Sequence, residues 1–151
     1  MTPLSDAAII AVGSELLMPH KLDTNSLFLT EQLNGLGITL RYKVVVGDNR
    51  DDLSAAIRDA APRAKLILLT GGLGATDDDV TRDVVASVLE LALYEDPDVV
   101  ASIRSRFETL GLEMPDVNRR QALVPQGAVV LPNPRGTAPG LWIETSQGVC
   151  L

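Results

Sequence analysis

The sequence predicts a three-layer α/β/α sandwich built on a mostly parallel sheet, and three observations carry that expectation. Apolar blocks of strand length, Ala7–Val12 and Lys65–Thr70, are closed by Gly13 and by Gly71-Gly72. Their interiors are apolar without alternation, as in strands covered by helices on both faces. Amphipathic stretches with helix-capping residues lie between such blocks from end to end.

Each element follows from its local chemistry. A helix over Asp23–Leu36 starts on Asp/Thr/Asn caps, carries Leu29, Leu33 and Leu36 on one side and stops at Gly37. Arg41–Val46 alternates before turning wholly apolar, which places it nearer a sheet edge. Asp51–Ala61 sets Leu53, Ile57 and Ala60 on one face and is halted by Pro62. Thr81–Leu93 presents Val84, Val85, Val88, Leu89 and Ala92. Asp96-Pro97 is a cap with proline at the first helical position, opening a helix that ends at Gly111. A short helix over Pro115–Leu123 follows, then strands at Ala128–Leu131 and Leu141–Ile143. Gln147-Gly148 reads as a turn into a last strand ending at Leu151, so the single domain of residues 1–151 reads as cut short at that end.

Composition narrows the function. The 151 residues hold 13 Lys+Arg against 20 Asp+Glu, a net charge of −7, with 46% hydrophobic and only 3% aromatic residues. Nucleic acid is a poor partner for so acidic a surface. The lone Cys150 allows no internal disulfide and suits a reducing cytoplasm. No apolar run reaches the about 18 residues of a membrane span, and the N-terminus lacks the basic region of a secretory signal. His20, the only histidine, rules out a two-histidine zinc site.

The chemistry gathers around Leu66–Thr81. A buried strand ends at Thr70, glycines follow at 71, 72 and 74, and a helix begins near Thr81. Such a loop brings backbone N–H groups close to an anion at the carboxyl edge of the sheet. It lacks the Gly-Lys-Ser/Thr ending of a Walker A loop, and Asp77 stands where a dinucleotide fingerprint has its third glycine. Asp77, Asp78 and Asp79 would repel a phosphate unless a divalent cation lay between them. The compatible structural role is that one of them caps the Thr81 helix. Asp48 follows the Arg41–Val46 strand and is either a rim carboxylate or an ordinary turn residue. Ser14, Glu15 and Asn25 offer hydroxyl, carboxylate and amide contacts to a sugar or phosphate, or serve as loop and cap residues. Asn118–Gln121, with Arg119, is the densest positive charge, either an anion clamp or a solvated face. The rigid loop from Asn133 to Gly140 either covers a ligand or only connects two strands.

The segments IAVGSELL, DTNS, VGD, TGGLGATDDDVT, NRRQALVP and NPRGTAPG, in this order and spacing, resemble the N-terminal domain of the competence/damage-inducible CinA proteins. That domain is related to MogA-like molybdopterin-binding domains. The resemblance spans nearly the whole chain and implies self-association as a dimer or trimer. It implies two functions: divalent-metal-dependent hydrolysis of ADP-ribose or a similar nucleotide sugar to AMP and ribose 5-phosphate, or binding of a molybdopterin or nucleotide without turnover. Carried over by motif, Asp79 and Asp48 become the catalytic carboxylates. With Asp78 they hold the cation (Mg²⁺, Mn²⁺ or Co²⁺). Gly71, Gly72, Gly74 and Thr76 face the phosphate, and Asn133, Gly136, Thr137, Pro139 and Gly140 form a later substrate loop. Two departures stand out: Ala75 where the family has proline, and Met18-Pro19 in place of Leu-Gly.

Overall fold

The computed structural model describes residues 4–146. Cys150 and the expected turn and strand at 147–151 lie outside the described residues. The parallel sheet consists of β1 (Asp6–Val12), β2 (Thr39–Val46) and β3 (Leu66–Thr70) in the order β2-β1-β3. β1 is central, with Val12 beside Val46 on one side and Ala11 beside Thr70 on the other. β2 is an edge strand of this sheet, as its alternation suggested.

Layering follows from strand periodicity. Ala7 and Ile9 point to one face, where Leu33 of α1 (Thr24–Gly35) packs with Leu66. Ala8, Ile10 and Val12 point to the other face. There they meet Leu53 and Ile57 of α2 (Arg50–Ala60) and Val84 and Val85 of α3 (Thr81–Val88). Both faces of β1 are therefore buried, which is why the strand is apolar at every position after Asp6. A separate core joins α4 (Pro97–Thr109), through Val99, Val100 and Ile103, to Ala122 and Val124.

Side chains cap three helix starts, two of them, Asp23 and Asp96, as the sequence indicated. Asp23, Asn49 and Asp96 each accept backbone N–H bonds from the first turn of α1, α2 and α4. The third helix differs from expectation at both ends. Its N-cap is Val80, with no side-chain cap, so none of the three aspartates fills that role. It stops at Val88 rather than Leu93 because Glu90 takes φ 56°, and Glu90 and Leu91 return N–H bonds to Ser87 and Ala86. That closes the helix as a Schellman motif with glutamate in the usual glycine position. The residues released form a strand that the sequence reading missed, β4 (Leu93–Glu95), antiparallel to β5 (Leu123–Pro125). The expected short helix is a 3-10 helix over Asp116–Ala122. β6 (Val129–Leu131) pairs antiparallel with β7 (Gly140–Trp142). Among the described residues, no helix is long and apolar enough to cross a membrane.

Candidate functional site

Because the three central strands are parallel, their carboxyl ends share one rim. Gly13-Ser14-Glu15, Gly47-Asp48 and Gly71–Gly74 emerge there from β1, β2 and β3. A cleft of about 470 Å³ opens between the β1–α1 connection and the glycine loop. Its lining includes Glu15, His20, Lys21, Thr24, Asn25 and Gly71, over Val12 and Thr70 at the strand ends. The Glu15 carboxylate lies over Gly13, where a Cβ would meet it at 2.5 Å. A larger hollow of about 550 Å³ lies near the amino ends of β1 and β3, beside Asp6, Arg58, Arg63 and Lys65, and borders none of the loops that follow the strands.

The glycine loop is held from two sides. Gly71 and Gly72 have φ of +93° and +63°, a region open to glycine at little cost. Thr81 donates its hydroxyl to the Gly71 carbonyl at 2.7 Å and its N–H to the Gly72 carbonyl at 3.1 Å. Arg82, which the sequence reading missed, is buried beneath the loop. Its guanidinium donates to the Leu73 carbonyl at 3.0 Å and the Arg120 carbonyl at 2.9 Å, tying the loop to the 3-10 helix. The signal was present in the sequence: an arginine one residue inside a helix that otherwise shows an apolar face.

Asp79 serves the same loop. Its carboxylate accepts the Thr76 hydroxyl at 2.7 Å and the Thr76 N–H at 2.9 Å. It also fills the space a side chain at Gly74 would need, with Oδ2 at 2.4 Å from that Cβ position. Burial works to raise its pKa, but the Thr76 and Gly74 hydrogen bonds and the Arg82 charge outweigh burial and hold the carboxyl below its ordinary 3.8. The sign follows from linkage. A depressed folded-state pKa stabilises the fold fully above 3.8, and this contribution is lost as pH falls below 3.8 through the folded value. Asp79→Asn is therefore expected to melt lower than the native chain at neutral pH, with the gap narrowing in the acid limb. A gap independent of pH would mean that the charge contributes nothing.

The expected three-carboxylate cation site of Asp48, Asp78 and Asp79 is not formed. Asp48 is turned to β1, accepting the Ser14 N–H at 2.9 Å while Ser14 Oγ accepts the Asp48 N–H at 3.0 Å. β2 and β3 flank β1 on opposite sides, so their end residues stand about two strand spacings, roughly 10 Å, apart. Among the described residues, no three His, Cys, Asp or Glu side chains come together as a metal-holding group. Asp78 is exposed, and Asp77 pairs with Arg120 at 2.7 Å.

Two further groups of candidate residues lie away from the rim cleft. Arg119 does not face the glycine loop: it pairs with Glu95 of β4, and its neighbour Arg120 makes the contact with the loop. Successive residues of a 3-10 helix point about 120° apart, so only one of the two can face the loop. The segment from Asn133 to Gly140 does not line the rim cleft. Asn133 accepts the N–H groups of Arg135 and Gly136 and donates to the Ala138 carbonyl, while Arg106 of α4 donates to the Pro134 and Arg135 carbonyls. Asn133, Gly136, Thr137 and Pro139 instead line a second cleft of about 290 Å³ with Asp96, Asp98 and Ser102. Gly140 opens β7, where a Cβ would crowd Leu131 at 3.2 Å.

Comparison with known proteins places this geometry in context. Residues 8–151 match the family described as probable molybdopterin binding domain. A CinA-like protein of Solibacter usitatus is 49% identical over 141 residues, covering 93% of this chain and 34% of that protein. A CinA-like protein of Synechococcus elongatus is 47% identical over 145 residues, 96% of this chain and 34% of that protein. The chain thus spans about a third of the length of these relatives. The crystal structure of the protein CinA, of unknown function, from Thermoplasma acidophilum superposes with a TM-score of 0.87 at 31% identity. That match covers 97% of this chain and 85% of that one. The tungsten cofactor synthesizing protein MoaB from Pyrococcus furiosus shares the fold, with a TM-score of 0.57 at 17% identity over 93% of this chain and 81% of that one.

Proposed function

The chain belongs to the probable molybdopterin binding domain family, within it to the CinA-like proteins, and from that membership we propose that its rim cleft binds a phosphate-bearing pterin or nucleotide without turning it over. The observation that carries this reading is the convergence of the Gly71 backbone with Glu15, Thr24 and Asn25 around one cleft at the carboxyl edge of the sheet. Backbone N–H groups of the glycine loop suit a phosphate, and the carboxylate, hydroxyl and amide suit the hydroxyls and ring nitrogens of the rest of the ligand. His20 and Lys21 supply the donors that an anion needs in an otherwise acidic chain.

The residues present do not fit a resident divalent cation. Asp48 and Asp79 each commit one carboxylate oxygen, to Ser14 and to Thr76, and they do not come together with a third carboxylate among the described residues. A second reading, cation-dependent hydrolysis of ADP-ribose or a similar nucleotide sugar to AMP and ribose 5-phosphate, rests on Asp78. That residue is exposed in the loop, where substrate phosphates and water would have to complete a cation's shell.

One experiment separates the readings. Molybdopterin, ADP-ribose and AMP are titrated calorimetrically, with AMP release followed in Mg²⁺, Mn²⁺ or Co²⁺. Binding without AMP release, weakened at least tenfold in Asn25→Ala, is the expected result. Cation-dependent AMP release that is lost in Asp78→Asn would establish the second reading instead. No binding of any of the three would overturn both.

A further inference from the structure

The hollow of about 550 Å³ at the amino ends of β1 and β3 gathers positive charge that the fold does not use. Of the 13 Lys and Arg residues, Lys43, Arg50, Arg119 and Arg120 pair with carboxylates. Arg82 and Arg106 donate to main-chain carbonyls. Arg58, Arg63 and Lys65 make no ion pair among the described residues, and all three line this one hollow. A chain of net charge −7 has carboxylates enough to neutralise them, yet the fold brings only Asp6 into the lining. That carboxylate is already engaged, with Oδ1 accepting the Lys65 N–H at 2.9 Å and Oδ2 facing the Ser5 hydroxyl at 3.4 Å.

Arg63 is held in place. β2 carries an extra residue at Arg41, so Tyr42 stands beside Ala8 and both face α2. The Arg63 guanidinium lies 4.9 Å from the Tyr42 ring centroid and gives its Nε–H to the Asp59 carbonyl at 2.8 Å. The negative end of α2 accounts for that one bond. It leaves the outer N–H groups of Arg63, the whole Arg58 guanidinium and the Lys65 ammonium without an acceptor among the described residues. Two planar forks and an ammonium around a hollow of ligand size suit an oxyanion charged at more than one centre. The rest of the lining, Ala61, Pro62 and Ala64, has no side-chain group that could read a base or a sugar. We propose that this hollow binds an anion through two linked phosphoryl groups, at the edge of the sheet opposite the rim cleft.

Amide NMR of the metal-free chain, titrated with inorganic pyrophosphate, reads this hollow separately from the rim. The amides of Arg58, Ala64 and Lys65 shift along a saturable curve. Arg58→Gln, Arg63→Gln and Lys65→Gln together weaken that binding about tenfold or more, and added salt weakens it in the native chain. All three side chains are exposed, and circular dichroism verifies that the triple variant is folded. Arg104→Gln, exposed on α4, leaves the binding unchanged. Shifts from Gly71 to Thr76 belong to the rim cleft, so their presence or absence bears on the proposed function alone. ADP shifting the same amides as pyrophosphate identifies the ligand as the diphosphate of a larger molecule, and pyrophosphate acting alone identifies the free anion. Three outcomes overturn the proposal: no shift at Arg58, Ala64 and Lys65, binding that survives the triple substitution, or citrate binding as tightly as pyrophosphate.

Discussion

Gly71→Ala is expected to abolish ligand binding at the rim and to lower stability by about 2–4 kcal/mol. A Cβ at this position would lie 2.0 Å from the Val12 carbonyl oxygen, and the residue holds φ of +93°. Val12 cannot retreat, because it ends the central strand and is registered to Val46 on one side while Ala11 is registered to Thr70 on the other. The strain must therefore go into the glycine loop, displacing the N–H groups proposed to meet the ligand. Gly35→Ala is the control. It lies in α1 with nothing within 4 Å of its Cβ position, and is expected to stabilise the chain by up to about 1 kcal/mol. Denaturant unfolding and calorimetry on both variants check the pair. Equal stabilities would mean that the loop adapts.

The second large effect is at Arg82. Arg82→Met is expected to cost about 2–4 kcal/mol and to loosen the glycine loop, because it removes the two guanidinium hydrogen bonds that tie the Leu73 carbonyl of the loop to the Arg120 carbonyl of the 3-10 helix. Arg82 is 3% exposed, and its Nε finds no partner, so its desolvation is only partly offset. Burial accordingly pulls its pKa down, with Arg120 adding to that effect and Asp83 and Asp79 opposing it. Arg82→Lys keeps the charge but not the planar fork that reaches two carbonyls, and should fall between the two in stability. Hydrogen exchange at Leu73 and Gly74 reads the loop directly. A Met variant as stable and as protected as the native chain would show that burying the guanidinium cancels its hydrogen bonds.

Helix ends show where sequence reading succeeds. α1 and α4 stop where Gly37 and Gly111 take positive φ, and each closes with the same pair of return N–H bonds. α3 closes in the same way through Glu90. Glutamate rarely adopts that conformation, so nothing local announced the stop, and the helix was read through into β4. Leu36 was expected on the buried side of α1 but is 75% exposed, because the chain is already leaving the helix there. The glycine loop, the α1 and α4 caps and the twice-covered strands were all legible, since each depends on residues adjacent in the chain.

By itself the sequence determined the layering and the rim. Unbroken apolar blocks required helices on both faces, and glycines after Thr70 required a sharp turn at a strand end. Only the tertiary structure decided which side chains meet there. Asp48 and Asp79 sit on the same rim but on opposite sides of β1, Arg120 rather than Arg119 reaches the loop, and the loop from Asn133 to Gly140 is pinned over α4. Strand order, the facing of neighbours on a 3-10 helix and the docking of a distant loop arise from contacts between residues far apart in the chain. Local propensity carries no information about such contacts, because their energies exist only once the layers have packed.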